Sequence, residues 1–75
     1  MPYVLNFRIA YPNPFGGVAY HNGACCSSKT FAKRAKILVS DREGRTSPYP
    51  AEITSIALAG RPASDYGYNF IGEYN

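Results

Sequence analysis

The sequence predicts a small α+β domain, in which one or two short helices pack on an antiparallel sheet. Three observations predict this fold class: a period-two alternation near the N-terminus, a helical period over 28–39 and a cluster of aromatic residues near the C-terminus. The chain has 75 residues, so it is expected to be a single domain, 1–75. Hydrophobic residues make up 45% and charged residues 17%, which excludes an intrinsically disordered chain.

An N-terminal hairpin is predicted over about 3–11 and 17–21. Large apolar side chains occupy every second position of its first strand: Tyr3, Leu5, Phe7, Ile9 and Tyr11. Side chains at alternate strand positions share one face, so this face is expected to cover the core. The turn is predicted at 12–17, where the sequence PNPFGG concentrates residues that favour turns.

A helix is predicted over about 28–39, capped by Ser27 or Ser28. Its apolar stripe at 3.6 residues per turn consists of Phe31, Ala35, Leu38 and Val39. A separate stripe on the same helical wheel consists of Lys29, Lys33 and Lys36. Residues 37–40 are also compatible with a strand, because β-branched side chains suit a pleated sheet.

Residues 51–58 fit either a helix or a strand. Pro50 suits the first turn of a helix and Glu52 suits the positive end of its dipole, which slightly favours a helix over about 50–59. The strand alternative is supported by the β-branched residues Ile53, Thr54 and Ile56. A last strand over about 68–74 is expected to complete the sheet.

Three patterns resemble sites that carry chemistry, but each lacks a residue that the chemistry needs. The segment 23–30 (GACCSSKT) resembles a phosphate-binding loop, but Ser28 stands where that loop needs its second glycine. His21 lies close to Cys25 and Cys26, but a structural zinc site takes four ligands. No residue is identified that would orient a Cys–His pair for catalysis. The sequence therefore predicts no catalytic residue, no metal site and no cofactor.

A basic segment is the strongest functional signal in a chain whose net charge is +3. Six of the eight Lys and Arg residues are the predicted binding residues: Lys29, Lys33, Arg34, Lys36, Arg42 and Arg45. A basic helix face can contact phosphates or an acidic protein patch. Tyrosine combines a large contact area with a polar tip, which suits interfaces. The predicted interface aromatics are Tyr66, Tyr68 and Tyr74.

One stretch resembles the tail of the small helix-turn-helix repeats of intron-encoded nucleases. It comprises residues 57–61 (ALAGR), followed by Ser64, Gly67, Tyr68 and Phe70. Those repeats contact DNA with a helix and the loop after it, so the resemblance implies a helix that ends near Gly60. Pro48 and Pro50 interrupt the helix-turn signature that precedes this tail in the family. No family is assigned from the resemblance.

The expected function is that of a small, non-enzymatic binding protein acting by occlusion. Chains of this size without a catalytic set are typical of phage accessory and inhibitor proteins, with an anti-CRISPR-like blocker as one concrete form. The expected partner is a host protein or nucleoprotein complex that handles nucleic acid. The alternative is a DNA- or RNA-binding module that uses the same basic face. The chain, monomer or homodimer, is expected to be cytoplasmic and to engage no membrane, because it shows neither a signal-peptide pattern nor a long apolar run.

Overall fold

A computed structural model describes residues 2–74, which form five β-strands and one short 3₁₀ helix. The strands are β1 (Tyr3–Pro12), β2 (Val18–Ser27), β3 (Lys36–Asp41), β4 (Ala51–Leu58) and β5 (Tyr68–Glu73), with the 3₁₀ helix Ala63–Asp65 between β4 and β5. They make one sheet in the order β2-β1-β4-β3-β5, and every neighbouring pair is antiparallel. The described chain is therefore almost entirely antiparallel sheet.

The predicted α+β fold class is wrong, and the helix predicted over 28–39 is not formed. Arg34 has a φ of 73°, a left-handed conformation that cannot lie inside a right-handed helix. The Arg34 N–H donates to the Ile53 carbonyl and the Ile53 N–H donates to the Ala35 carbonyl, at 2.8 and 2.9 Å. The backbone of this segment thus bonds to β4 instead of to itself, and β3 begins directly afterwards.

The second predicted helix, over 50–59, is also wrong, because these residues contain β4. Ala51 and Ile53 are fully buried while Glu52 between them points outward, which is the period-two pattern of a strand. A β-bulge interrupts the pairing of β4 with β1, and Thr54 is its extra residue. The Thr54 hydroxyl donates to the Asn6 carbonyl at 3.2 Å. A strand here also removes the helix that the nuclease resemblance implies.

The N-terminal hairpin is formed, with a second strand that runs past the predicted end at residue 21. β2 continues to Ser27 and pairs with β1 along its whole length, from Tyr3 opposite Ser27 to Pro12 opposite Val18. β5 lies within the predicted span 68–74 and pairs with β3 at one end of the sheet. The hairpin and the last strand are thus formed as predicted at the two ends of the chain, although the predicted fold class is wrong.

The core lies on one face of this sheet and draws on four of its strands. Its buried apolar members are Leu5, Phe7 and Ile9 of β1, Cys25 of β2, Ile37 and Val39 of β3, and Ala51 and Ile53 of β4. Phe31 and Ala35 pack against this cluster from the loop that precedes β3, and Phe70 packs against it from β5. The apolar stripe of the failed helix prediction is thus partly buried, although no helix carries it.

The sheet curls until its two end strands approach each other at Gly23. Tyr68 of β5 packs edge-on against Phe7, with 5.3 Å between ring centroids. A Cβ atom at Gly23 of β2 would lie 2.8 Å from both Phe7 Cζ and Tyr68 Cε2. Carbon atoms cannot approach so closely without displacement, so glycine is the residue that permits this contact.

We expect Gly23→Ala to lower the free energy of unfolding by about 1–3 kcal/mol, the usual cost of overpacking a filled core. The added methyl group must displace Phe7 or Tyr68, the two rings that join the ends of the sheet. Urea-induced unfolding followed by circular dichroism measures the change. Gly60→Ala is the matched control, because nothing lies within 4 Å of the added Cβ atom there. Equal stability of the two variants would contradict the role assigned to Gly23.

Candidate binding surface

The six cations predicted to share a helix face lie on different parts of the structure. Lys29 follows β2, and its Nζ atom is 3.4 Å from a Glu73 carboxylate oxygen. Arg42 and Arg45 lie in the turn after β3. The remaining three are Lys33, Arg34 and Lys36, in the loop and at the first residue of β3. The continuous lysine stripe is therefore wrong, because a helical wheel does not describe a loop followed by a strand.

Asp41, the last residue of β3, organises the turn that follows. Its side chain forms an ion pair with Arg45, one of the predicted binding cations. Asp41 Oδ1 accepts bonds from the backbone N–H groups of Arg45 and Glu43, at 2.9 and 3.0 Å. Arg45 Nε donates to Asp41 Oδ2 at 2.9 Å, and its guanidinium also pairs with Glu43. The Arg45 backbone N–H, together with the guanidinium, holds the pKa of Asp41 below its usual value. Arg42 donates a bond to the Asn69 side chain.

A second group of cations gathers around Glu52 on the outer surface of the sheet. Glu52 lies opposite Arg8 in the β1–β4 pair and opposite Lys36 in the β3–β4 pair. The three residues thus form a row across adjacent strands, about 4.8 Å apart. Backbone hydrogen bonds between Ile53 and the loop before β3 bring Lys33 and Arg34, two more of the predicted cations, to the same surface. The basic face is defined here as Arg8, Lys33, Arg34, Lys36 and Glu52.

The basic face is open and contains two shallow depressions that share Arg8 and Glu52. One, of about 300 Å³, is lined by Lys36 and Tyr20, among others, and the other, of about 240 Å³, by Lys33 and Arg34. Arg8 Nε donates to Glu52 Oε1 at 2.9 Å, and the guanidinium carbon lies 4.5 Å from the centre of the Tyr20 ring. The ion pair and the cation–π contact fix the Arg8 side chain across the middle of the face.

The basic face carries the whole net charge of the protein. Its four cations and one carboxylate sum to +3, which equals the formal charge of the full sequence. The other four cations and four carboxylates therefore cancel: Lys29, Arg42, Arg45 and Arg61 against Asp41, Glu43, Asp65 and Glu73. The modest net charge of +3 is thus concentrated on one surface, because the fold places the excess cations on the basic face. The cations elsewhere are equal in number to the carboxylates elsewhere.

The three predicted interface tyrosines have different surroundings. Tyr68 is partly buried against the core, and its ring contacts the buried Phe7 and the exposed His21. Tyr66 is partly buried after the 3₁₀ helix. Tyr74 is 48% exposed, and its backbone N–H donates to the Lys36 carbonyl at 3.1 Å. Tyr74 is thus the predicted aromatic whose backbone borders the basic face.

Arg8 and Tyr20 belong to this surface although the sequence pattern does not single them out. The alternation in β1 places Arg8 on the face opposite Leu5 and Phe7, which is a usable signal for exposure. Nothing in the pattern says which strand lies beside it. Tyr20 comes next to Arg8 through the hairpin register, in which Asn22 is opposite Arg8 and Tyr20 is opposite Ala10.

The thiols of β2 lie on opposite faces of the sheet. Cys25 is fully buried, and burial together with the neighbouring Cys26 raises its pKa to about 12. Cys25 is therefore a protonated core residue at neutral pH, in a strand where Cys26 points the other way. Within residues 2–74, no three His, Cys, Asp or Glu side chains come together as metal ligands. The Ser27 hydroxyl accepts a bond from the Lys29 N–H, but no helix follows.

No protein-family model matches this chain. Comparisons with curated proteins and with solved structures also return no match. In the part of the chain that the structure describes, no helix has the length and apolar character needed to span a membrane. Functional inference therefore depends on the chain's own surface.

We expect Asp41→Asn to lower the free energy of unfolding at neutral pH and to weaken its dependence on pH below about 4. The Asp41 pKa is lower in the folded protein than its unfolded value of about 3.9. The carboxylate therefore contributes stability above that value, and the contribution is lost as the pH falls through the folded pKa. Urea unfolding at a series of pH values measures the effect.

Asp65→Asn, at an exposed position of the 3₁₀ helix, is the control for removing one carboxylate. It should leave the acid-induced loss of stability close to that of the wild type. If Asp41→Asn and the wild type lose the same stability between neutral and acidic pH, the Asp41 carboxylate does not organise the turn as described.

Proposed function

We propose that the protein is a non-enzymatic binding module that acts by occlusion, covering an acidic surface of a partner protein with its basic face. The observation that supports this is the concentration of the whole net charge on one open sheet surface beside an exposed tyrosine. The surface differs from the helix face expected from the sequence. It retains Lys33, Arg34 and Lys36, adds Arg8 and Glu52, and has Tyr20 beside it.

The chemistry of this face suits a protein surface rich in carboxylates. Arg8 presents a planar guanidinium that the Glu52 pair and the Tyr20 ring hold in place, so little conformational entropy is lost on binding. The lysines in the flanking loop and strand extend the positive field, which steers an acidic partner toward the face. Tyr20 is 53% exposed and supplies apolar contact area next to the charges.

A host protein that handles nucleic acid is the partner class we favour. Enzymes that act on nucleic acids commonly hold Mg²⁺ with carboxylates beside the substrate phosphates. Such a carboxylate cluster is an acidic site that a rigid basic face can cover. Occupying it would block access of the natural ligand without any chemistry by the small protein, as in an inhibitor of the phage accessory type.

Direct binding of DNA or RNA is the second candidate, favoured by the cations Lys33, Arg34 and Lys36 along the rims of the two depressions. Two features make it the weaker one. The Glu52 carboxylate lies at the centre of the face, where it repels a phosphate. Binding of single strands commonly uses several aromatic platforms in succession, whereas among residues 2–74 Tyr20 is the one aromatic side chain that lines these depressions.

We expect the double variant Lys33→Glu and Lys36→Glu to weaken partner binding about tenfold or more, because two attractive contacts become repulsive. Arg42→Glu with Arg61→Glu is the matched control. Both double variants change the net charge from +3 to −1, since two reversals remove four charges. The control changes cations that lie outside the basic face.

The measurement is capture from nuclease-treated and untreated host lysate by the immobilised chain, read by quantitative mass spectrometry. Proteins held by the wild type and the control variant, lost by the basic-face variant and insensitive to nuclease would support the proposal. Equal capture by all three chains would contradict it. Capture that disappears with nuclease, together with low-salt binding of a fluorescent single-stranded oligonucleotide that the basic-face variant loses, would favour the second candidate.

A further inference from the structure

The hairpin extends beyond the body of the sheet as an arm, defined here as residues 10–20. Pairing between β1 and β4 ends where Ile9 lies opposite Ala51. Beyond Ile9, β1 pairs with β2 along one edge, and its other edge pairs with no strand of the described chain. β2 returns from the turn opposite this segment, from Val18 onward. The arm is therefore a two-stranded ribbon with which no third strand of the described chain pairs.

The turn of the arm holds Phe15 in the open. Phe15 is 97% exposed, the most exposed of the large hydrophobic side chains described. Two backbone hydrogen bonds of Asn13 close the turn. Its N–H donates to the Gly17 carbonyl at 3.1 Å, and its carbonyl accepts a bond from the Gly16 N–H at 2.9 Å. Its side-chain oxygen also accepts the Phe15 N–H at 3.0 Å. The exposed ring thus stands on a bonded turn, which lowers the entropy lost when another surface covers it.

An apolar groove lies next to the turn that carries Phe15, and the arm forms it together with Tyr49. Its lining residues are Ala10, Tyr11, Pro12, Gly17, Val18 and Tyr49. The groove is shallow and open to solvent, with a volume of about 240 Å³. A phenyl ring can lie in it with one face against the apolar lining. Val18 is 60% exposed within it, so apolar surface remains uncovered in the single chain.

The arm carries no formal charge, although the molecule is cationic. Residues 9–28 contain no Lys, Arg, Asp or Glu. Two copies of the chain repel each other through their basic faces, each of which carries +3. The arm is an uncharged part of the surface, on which two copies can meet without placing like charges in contact.

We propose that the arm is a self-association surface, on which Phe15 of one chain fills the groove of a second copy and the second copy's ring fills the groove of the first. A two-fold dimer needs a surface that is complementary to itself, and a ring next to a groove on one arm satisfies this requirement. A stable interface buries about 800 Å² on each partner. The arm is small against that area, so the dimer should be weak and depend on concentration.

The experiment is sedimentation velocity of the full chain over about 10–500 µM, which brackets a dissociation constant on the order of 100 µM. We expect a reversible monomer–dimer equilibrium for the wild type. Phe15→Ser should weaken it about tenfold or more, because an aromatic anchor is removed from its pocket. Val18→Asp should do the same by placing a charge in the groove while leaving Phe15 in place.

Leu58→Ser is the matched control, because Leu58 is 62% exposed and lies opposite Tyr3, at the other end of β1 from the arm. It should dimerise like the wild type. Circular dichroism confirms that each variant is folded. A wild type that stays monomeric at the highest concentration, or a folded Phe15→Ser chain that dimerises normally, would overturn the proposal, as would loss of dimer in Leu58→Ser.

Discussion

The edge-to-face contact between Phe7 and Tyr68 above Gly23 is the interaction on which the rest of the structure depends. It joins β5 to the β1–β2 hairpin, although β2 and β5 are the two ends of the sheet. A flat five-stranded sheet of this size would leave one apolar face open to water. Curling the sheet around these two rings lets a chain of 75 residues bury a core with strands alone.

Strand pairing then decides where the charges lie. The basic face exists because Glu52 pairs on one side with Arg8 and on the other with Lys36. These residues are far apart in the chain, and none of them is unusual for an exposed strand position. The same topology places the arm, with its exposed Phe15, outside the region that β4 covers. The net charge thus gathers where β1, β4 and β3 lie side by side, whereas the arm of the hairpin carries exposed apolar contact area.

The helix predicted over 28–39 shows why a local period can mislead. Three of its four apolar residues, Phe31, Ala35 and Val39, reach the core, so their hydrophobic character was a correct signal for burial. Their spacing was not evidence for a helix, because a loop can also direct Phe31 and Ala35 inward. The β-branched Ile37 and Val39 pointed to the strand, and the backbone bonds of Arg34 and Ala35 to Ile53 decided it.

The sequence by itself determined the hairpin, the last strand, the turns rich in glycine and proline, and the cationic character of the middle segment, because each depends on neighbours in the chain. The tertiary structure decided that residues 51–58 form a strand, that Arg45 is held by Asp41, and that Arg8 and Tyr20 join Lys36. Those outcomes depend on register between distant strands. Side-chain periodicity says which face a residue is on, but it does not say which strand will lie beside it.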